Sequence, residues 1–216
     1  MSVSLPNGST IAIASGYGSA DAFAAISNAV EAVVSDPAHN FANGDVVEIT
    51  SGWVRLTGRL ARVKSAVANT SYVLEGIDTS DIARYPAGGG VGSCRKVTGW
   101  TQISQVLSSS STGGEQQFKE YAFLEDGAQR RIPTTKSAQG YTLAIADDPL
   151  QPHYAVLKAA DTDRSPRGIK ITLANNSPIF ANAYVSMNDT PTLTVNEIMA
   201  LEVTLSLLSS TTRYVS

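Results

Sequence analysis

The side chains able to do chemistry are few and scattered. The chain of 216 residues has two histidines, His39 and His153, and a single cysteine, Cys94. Zinc is held by converging nitrogen, sulfur and oxygen ligands at short characteristic spacings, and no such run occurs, so no metal is expected. His39 precedes Asn40-Phe41 and a turn, and reads as a loop histidine bonded to backbone. His153 reads as a surface or half-buried residue in the first turns of a helix. Carboxylates that work as an acid and base pair need environments that drive their pKa values apart. Asp78 and Asp81 instead flank Thr79-Ser80, where Asp bonds its own backbone in a turn, and Asp148 before Pro149 reads as a helix cap. The stretch Gly88-Gly89-Gly90-Val91-Gly92 lacks the Lys-Ser/Thr of a phosphate loop, and no serine sits in a nucleophile elbow. Cys94 reads as a structural thiol. The basic pairs Arg95-Lys96 and Arg130-Arg131 read as ion-pair formers. No catalytic residue and no cofactor is expected, and the chain is not expected to be an enzyme.

Composition points the same way. Only 16% of residues are charged, with a net charge of −3, while 43% are hydrophobic. Weak acidity disfavours a protein that grips nucleic-acid phosphates, because that affinity comes from released counterions. The 25 Ser, 19 Thr and 17 Gly favour strands and turns over helices. No run approaches the roughly 18 apolar residues of a membrane helix, so no membrane insertion by this chain is expected. The N-terminal Met1–Gly8 has neither the basic region nor the apolar core of a secretory signal.

Turn chemistry divides the chain. Residues 36–98 alternate turns, at Asn43-Gly44-Asp45, Ser51-Gly52, Thr57-Gly58 and Ala68-Asn69-Thr70, with β-branched runs such as Val46–Thr50 and Tyr72–Glu75, the spacing of a small barrel or sandwich. Upstream, Phe23, Ile26, Val30 and Val33 fit either a helix face or two short strands broken near Ser27-Asn28. Further on, Thr101–Leu107 and Gln116–Leu124 are read as a hairpin whose polar, mobile tip is Ser108–Gly114. Gln116–Tyr121, polar on both faces, suits a barrel wall. Tyr141, Leu143 and Ile145 alternate with polar or small residues, as do Ile169, Ile171 and Leu173. Between them a helix is expected over 149–161, starting at Asp148-Pro149 and presenting Leu150, Tyr154 and Leu157. After the turn Asn175-Asn176-Ser177 come a strand over Ile179–Met187 and the clearest one, with Met199, Leu201, Val203, Leu205 and Leu207 on one side and Glu202, Thr204 and Ser206 on the other. The expected fold is mainly β: a β-sandwich with one flanking α-helix, plus a small β-barrel-like inserted module.

From about Phe23 onward the sequence resembles the bacteriophage tail tube proteins (major tail proteins) of long, non-contractile tails. The stretches that carry the likeness are Ala38–Trp53, Tyr72–Ser80, Tyr85–Gly90, Gly113-Gly114-Glu115-Gln116-Gln117-Phe118, Arg131–Thr134, Ala146-Asp147-Asp148-Pro149 and Thr212-Arg213-Tyr214. They lie in order along most of the chain. The resemblance implies hexameric rings, each subunit giving strands to a continuous inner β-barrel, stacked into a tube that holds the tape-measure protein and then conducts double-stranded DNA without binding it specifically. It implies tail tip and terminator proteins as partners, and a virion protein assembled in the bacterial cytoplasm. Its divisions would be an N-terminal arm and first strand at 1–23, a small β module at 24–98 on the tube exterior, and the tube sandwich at 99–216. It also favours strands over helix for 24–34. Lumen or inter-subunit candidates are then Gln102, Ser104, Gln117, Lys119, Glu120 and Glu125. Inter-ring loop candidates are Ser108, Ser109, Ser110, Ser111, Thr112, Gly113 and Gly114.

Two other readings compete. The chain could be another virion component sharing the sandwich, such as a tail terminator, connector or minor tail protein. Alternatively 36–98 could be a glycan-binding surface module with Trp53 as the stacking residue, although a core tryptophan is the more ordinary assignment.

Overall fold

The computed structural model describes residues 7–215. Residues 1–6, most of the expected N-terminal arm ahead of the first strand, lie outside the described residues. Among the described residues, fifteen strands and one helix follow one another in the order β1 (Thr10–Phe23), β2 (Ala25–Ile26), β3 (Ala32–Ser35), β4 (Val46–Ser51), β5 (Leu60–Val67), β6 (Ser71–Leu74), β7 (Gly92–Ile103), β8 (Val106–Thr112), β9 (Gln116–Tyr121), β10 (Arg130–Lys136), β11 (Gly140–Ala146), α1 (Pro152–Asp163), β12 (Arg167–Thr172), β13 (Pro178–Met187), β14 (Ala200–Leu207) and β15 (Thr212–Arg213). The fold is mainly β, as expected. Residues 24–34 resolve into β2 and β3, because Ile26 and Val34 bury their side chains in a cross-strand pair that a helix would separate.

The strands form a curled sheet in the order β2-β3-β6-β5-β4-β7-β1-β12-β13-β14-β11-β8, with β15 added to β13 and β9-β10 standing apart as a two-stranded ribbon. One core lies inside the curl of β1, β7 and β11–β14. It contains Ile13, Leu143, Ile145, Ile169, Val203 and Leu205, one face of alternating strands, and Leu157 and Ala160 from α1. A second core fills the half built from β2–β6, around Val34, Val47, Ile49, Tyr72, Leu74 and Cys94. The strands β1 and β7 serve both halves, and residues 98 and 99 are consecutive inside β7, so no linker separates the two cores. Register shifts between Ala14 and Ala20 bend β1 from one half into the other.

Three polar fastenings hold the halves together. Glu48, 7% exposed, takes both Arg95 Nε and Nη2 at 3.0 and 2.8 Å and accepts from Asn182 of β13 at 3.2 Å. The Arg95 guanidinium lies 4.1 Å over the Tyr17 ring, whose hydroxyl accepts from Gly168 N–H at 2.7 Å. Near the C-terminus the Tyr214 hydroxyl accepts from Arg62 N–H at 2.8 Å and donates to Glu75 O at 3.0 Å, with the Arg62 guanidinium 4.4 Å over its ring. Burial raises the pKa of both tyrosines, Tyr17 and Tyr214. Trp53 is 3% exposed, donates Nε1–H to Pro86 O at 2.9 Å and packs face-on over Gly89 and Gly90, where a β-carbon would strike its ring. It is a core residue, and Gly89 and Gly90 leave the room it occupies.

The structure corrects two local expectations. The helix starts at Pro152 rather than 149, with Gln151 at the N-cap. Asp148 instead closes the preceding turn, accepting from Leu150 N–H at 3.2 Å and Gln151 Nε2 at 2.7 Å. Leu150 therefore points into solvent, while Leu157 is buried. The second correction concerns His153, which is 1% exposed rather than at the surface. Its Nδ1 accepts from Ser104 N–H at 3.5 Å, with Ser104 Oγ at 3.3 Å and Oγ also 3.2 Å from Gln151 Oε1. This knot sits where β7 turns into β8, at Gln105, whose φ is +58°. The sequence lies silent on it because Ser104 and His153 are distant along the chain. His39 is buried as a backbone-bonded residue, donating Nε2–H to Val67 O at 2.9 Å.

Burial pushes the His153 pKa below its ordinary value, the Asp148 charge opposing this only in part. The neutral ring's contribution to stability is complete above the unfolded-state pKa of about 6.5 and is lost as pH falls through the depressed folded value. Thermal melts between about pH 8 and pH 4.5 should show Tm falling below about pH 6.5 more steeply in the native chain than in His153→Gln; equal slopes would contradict the assignment. A second prediction concerns Gly92, where an added β-carbon would lie 1.9 Å from Thr50 O across the β4–β7 pair. Gly92→Ala is expected to cost about 1–3 kcal/mol in a denaturant titration.

Candidate functional site

The most exposed strand of the curled sheet among the described residues is β8. It pairs with β11 on one side, Thr112 opposite Gly140, Ser110 opposite Thr142 and Ser108 opposite Ala144. Its other side is the end of the sheet, with no strand partner among the described residues. Every side chain from Leu107 to Thr112 is exposed. A bare edge presents a row of unpaired backbone N–H and C=O groups, which natural proteins blunt with charge, proline or a bulge. Here the row carries Ser108, Ser109, Ser110, Ser111 and Thr112, with no charge and no proline. This corrects the expectation of a loop over Ser108–Gly114: Ser108–Thr112 are strand, and only Gly113 and Gly114 turn. Both take positive φ, +76° and +81°, and a β-carbon on Gly113 would meet Ala138 O at 1.8 Å. Five consecutive hydroxyl residues signal solubility, which a loop and an edge strand share.

The sheet next to this edge has one apolar and one polar face. Ser109 and Ser111 share the core side with Leu143, Tyr141, Val203 and Leu205. On the other side lie the rows Ser108-Ala144-Glu202, Ser110-Thr142-Thr204-Ser186 and Thr112-Gly140-Ser206-Tyr184. These side chains are small and uncharged apart from Glu202 and the larger Tyr184. The alternation of Glu202, Thr204 and Ser206 was visible in the sequence; Thr142 and Ser186 gave no signal of their own, because only the register brings them level.

The residues singled out from the sequence do not form one site. Gln102 is exposed on β7, paired with Ala12. Ser104 is half-buried and engaged with His153 and Gln151. Gln117, Lys119 and Glu120 lie on the β9–β10 ribbon, where Glu120 pairs with Arg131 Nη2 at 2.6 Å and Lys119 faces Ile132. Glu125 stands exposed at the ribbon's tip beside Phe123 and Leu124. The ribbon exposes Phe118 on one face and Ile132 on the other, so neither face is covered within the chain.

Cys94 is buried, which pushes its thiol pKa up to about 12 and leaves it protonated. Among the described residues no three His, Cys, Asp or Glu side chains come together to hold a metal ion.

Residues 51–216 match the family model described as "Phage tail tube protein, TTP". No curated protein matches the sequence. Among solved structures, a sheath/tube terminator of an extracellular contractile injection system is similar, at a TM-score of 0.39 and 18% identity over 49% of this chain and 84% of that one. So is the tube-terminating cap of the anti-feeding prophage, at 0.37 and 19% identity over 50% and 79%. A chain of the six-fold symmetrised anti-feeding prophage baseplate matches at 0.38 and 8% identity over 82% and 95%. With the family match covering most of its length, the chain belongs to the phage tail tube protein family and is a structural component of a tail.

Proposed function

We propose that copies of this chain join through the open edge of β8 into hexameric rings, and that the rings stack as the tube of a long, non-contractile phage tail. The observation that carries this reading is the bare edge itself. Extending a sheet by strand addition satisfies the backbone groups that β8 leaves free, and closing the ring removes the edges altogether. The ribbon β9–β10, which exposes Phe118 on one face and Ile132 on the other, would lie between neighbouring copies. Gln102, Gln117, Lys119, Glu120 and Glu125 remain proposed inter-subunit or lumen positions. The polar rows carrying Ser110, Thr142, Thr204 and Glu202 are the stronger lumen candidates. A wall of small hydroxyls with one acidic ring repels phosphate and offers DNA no cationic foothold.

In this reading the tube encloses the tape-measure protein during assembly in the host cytoplasm and later conducts double-stranded DNA. Terminator and tip proteins cap its ends, and the half built from β2–β6 decorates its outside. Glycan stacking by Trp53 is disfavoured by its burial.

Consecutive N–H groups of a strand point to opposite sides, so one of Ser109 and Ser110 donates toward the open edge. Ser109→Pro and Ser110→Pro should differ sharply. The substitution at the outward N–H should leave a folded monomer that forms no rings, with an unchanged circular dichroism spectrum. Negative-stain images of the native protein at high concentration should show hollow filaments. Filaments from both proline variants would exclude edge pairing through β8.

A further inference from the structure

The two ends of the curled sheet differ in chemistry and complement each other. At one end, where β11 begins and β8 and β14 finish, the interior of the curl is open. A cavity of about 300 Å³ enters there between Tyr141, Ile171, Ile179 and Leu207, with Arg213 at its rim. These apolar residues are only half-buried. Beside it runs a wider cleft of about 500 Å³ lined by Arg55, Arg59, Arg84 and Lys136 and by no carboxylate among the described residues. Only Arg84 of these four has an ion-pair partner, Asp81. Arg59 reaches Thr212 Oγ1 at 3.4 Å through Nη2, but its Nε is buried without a hydrogen-bond partner.

At the other end the curl is closed by α1, whose Leu157 and Ala160 plug it against Ile145, Met187 and Leu201. Beyond the plug, the connection from β13 to β14 over residues 188–199 projects its apolar side chains outward. Leu193 is 79% exposed, Val195 86% and Ile198 65%. Carboxylates lie along this segment: Asp189, paired with Lys158 at 3.1 Å, Glu197, and Asp147, whose N–H bonds Met199 O at 2.9 Å. Glu197 and Asp147 have no ion-pair partner among the described residues. The two ends are separated by the length of β14, eight residues or roughly 27 Å of strand.

We infer that the 188–199 segment of one copy seats in the open mouth of the next copy along the strand direction, its apolar side chains filling the cavity and its acidic neighbours meeting the arginine and lysine cleft. The inference rests on the stacked-ring reading and supplies its axial contact. An apolar knob rimmed by acid at one end fits an apolar socket rimmed by base at the other, and does not fit a copy of itself. Such a contact is heterologous: each copy uses one surface upward and a different one downward, so it repeats without closing. The occupant is therefore a second copy of this chain.

The test compares the native chain with Leu193→Asp/Val195→Asp. Both side chains are exposed, so the monomer should melt at the native temperature. By mass and negative stain the variant should stop at single rings under conditions where the native chain forms filaments. A second experiment avoids any loss of packing: Val195→Cys combined with Thr211→Cys, treated with a short bis-maleimide on preformed filaments. Cys94 is buried and held as a thiol, so it should not react. A ladder of covalent multimers is expected from the double variant and absent from either single one. Filaments from the aspartate variant, or no ladder, overturn the axial contact and leave the ring reading standing. A native chain that stays monomeric overturns both.

Discussion

A strand that ends a sheet without covering its backbone sets the terms for everything else in this molecule. The hydrogen-bonding groups of β8 can be satisfied by water or by another strand. The sequence does little to discourage the strand: no charge or proline lies in Ser108–Thr112, and the one register shift against β11 falls before it, at Leu107. The curl of β1, β7 and β11–β14 stops short of closing on itself, and α1 fills one end instead. What remains is a sheet that is stable as a unit through its two cores and is unfinished at its margin. Hydroxyl side chains reconcile these demands. They hydrogen-bond to water where the edge is bare, and they are small and uncharged, so a strand laid against the edge would meet little steric or electrostatic resistance.

Much of the fold was legible in the sequence because one face of each strand is buried. Alternation fixed β11, β12 and β14, and the turn residues around Asn43-Gly44 and Asn175-Asn176 marked their neighbours. The strands of 24–34 were ambiguous by spacing alone, since Phe23, Ile26, Val30 and Val33 satisfy two periodicities; Val30 turns out 71% exposed, which removes it from any buried stripe. The helix start was misplaced because Asp148-Pro149 offers both a capping side chain and a first-turn proline, whereas Gln151-Pro152 one turn later offers only the proline. Only packing chooses between them, by burying His153.

The proposed assembly surface was harder to read, and for a physical reason. A lone chain carries no mark on an edge strand that distinguishes it from a polar loop, because both face water. Ser108–Thr112 therefore looked like the tip of a hairpin, while the two segments flanking it pair elsewhere, β7 with β1 and β9 with β10. The polar face next to it is assembled from four strands, and its uniformity appears only once register sets Ser110, Thr142, Thr204 and Ser186 side by side. Contacts that span a long sequence separation, such as Ser104 with His153 or Arg62 with Tyr214, are likewise invisible to any local pattern.

The shared strands have a mechanical meaning. Because β1 is hydrogen-bonded to β7 along much of its length and reaches β12 at its start, a pull on the half built from β2–β6 loads the other half through continuous backbone rather than through a hinge. The molecule should therefore lose its structure in a single cooperative event, with no protease-resistant fragment corresponding to either half.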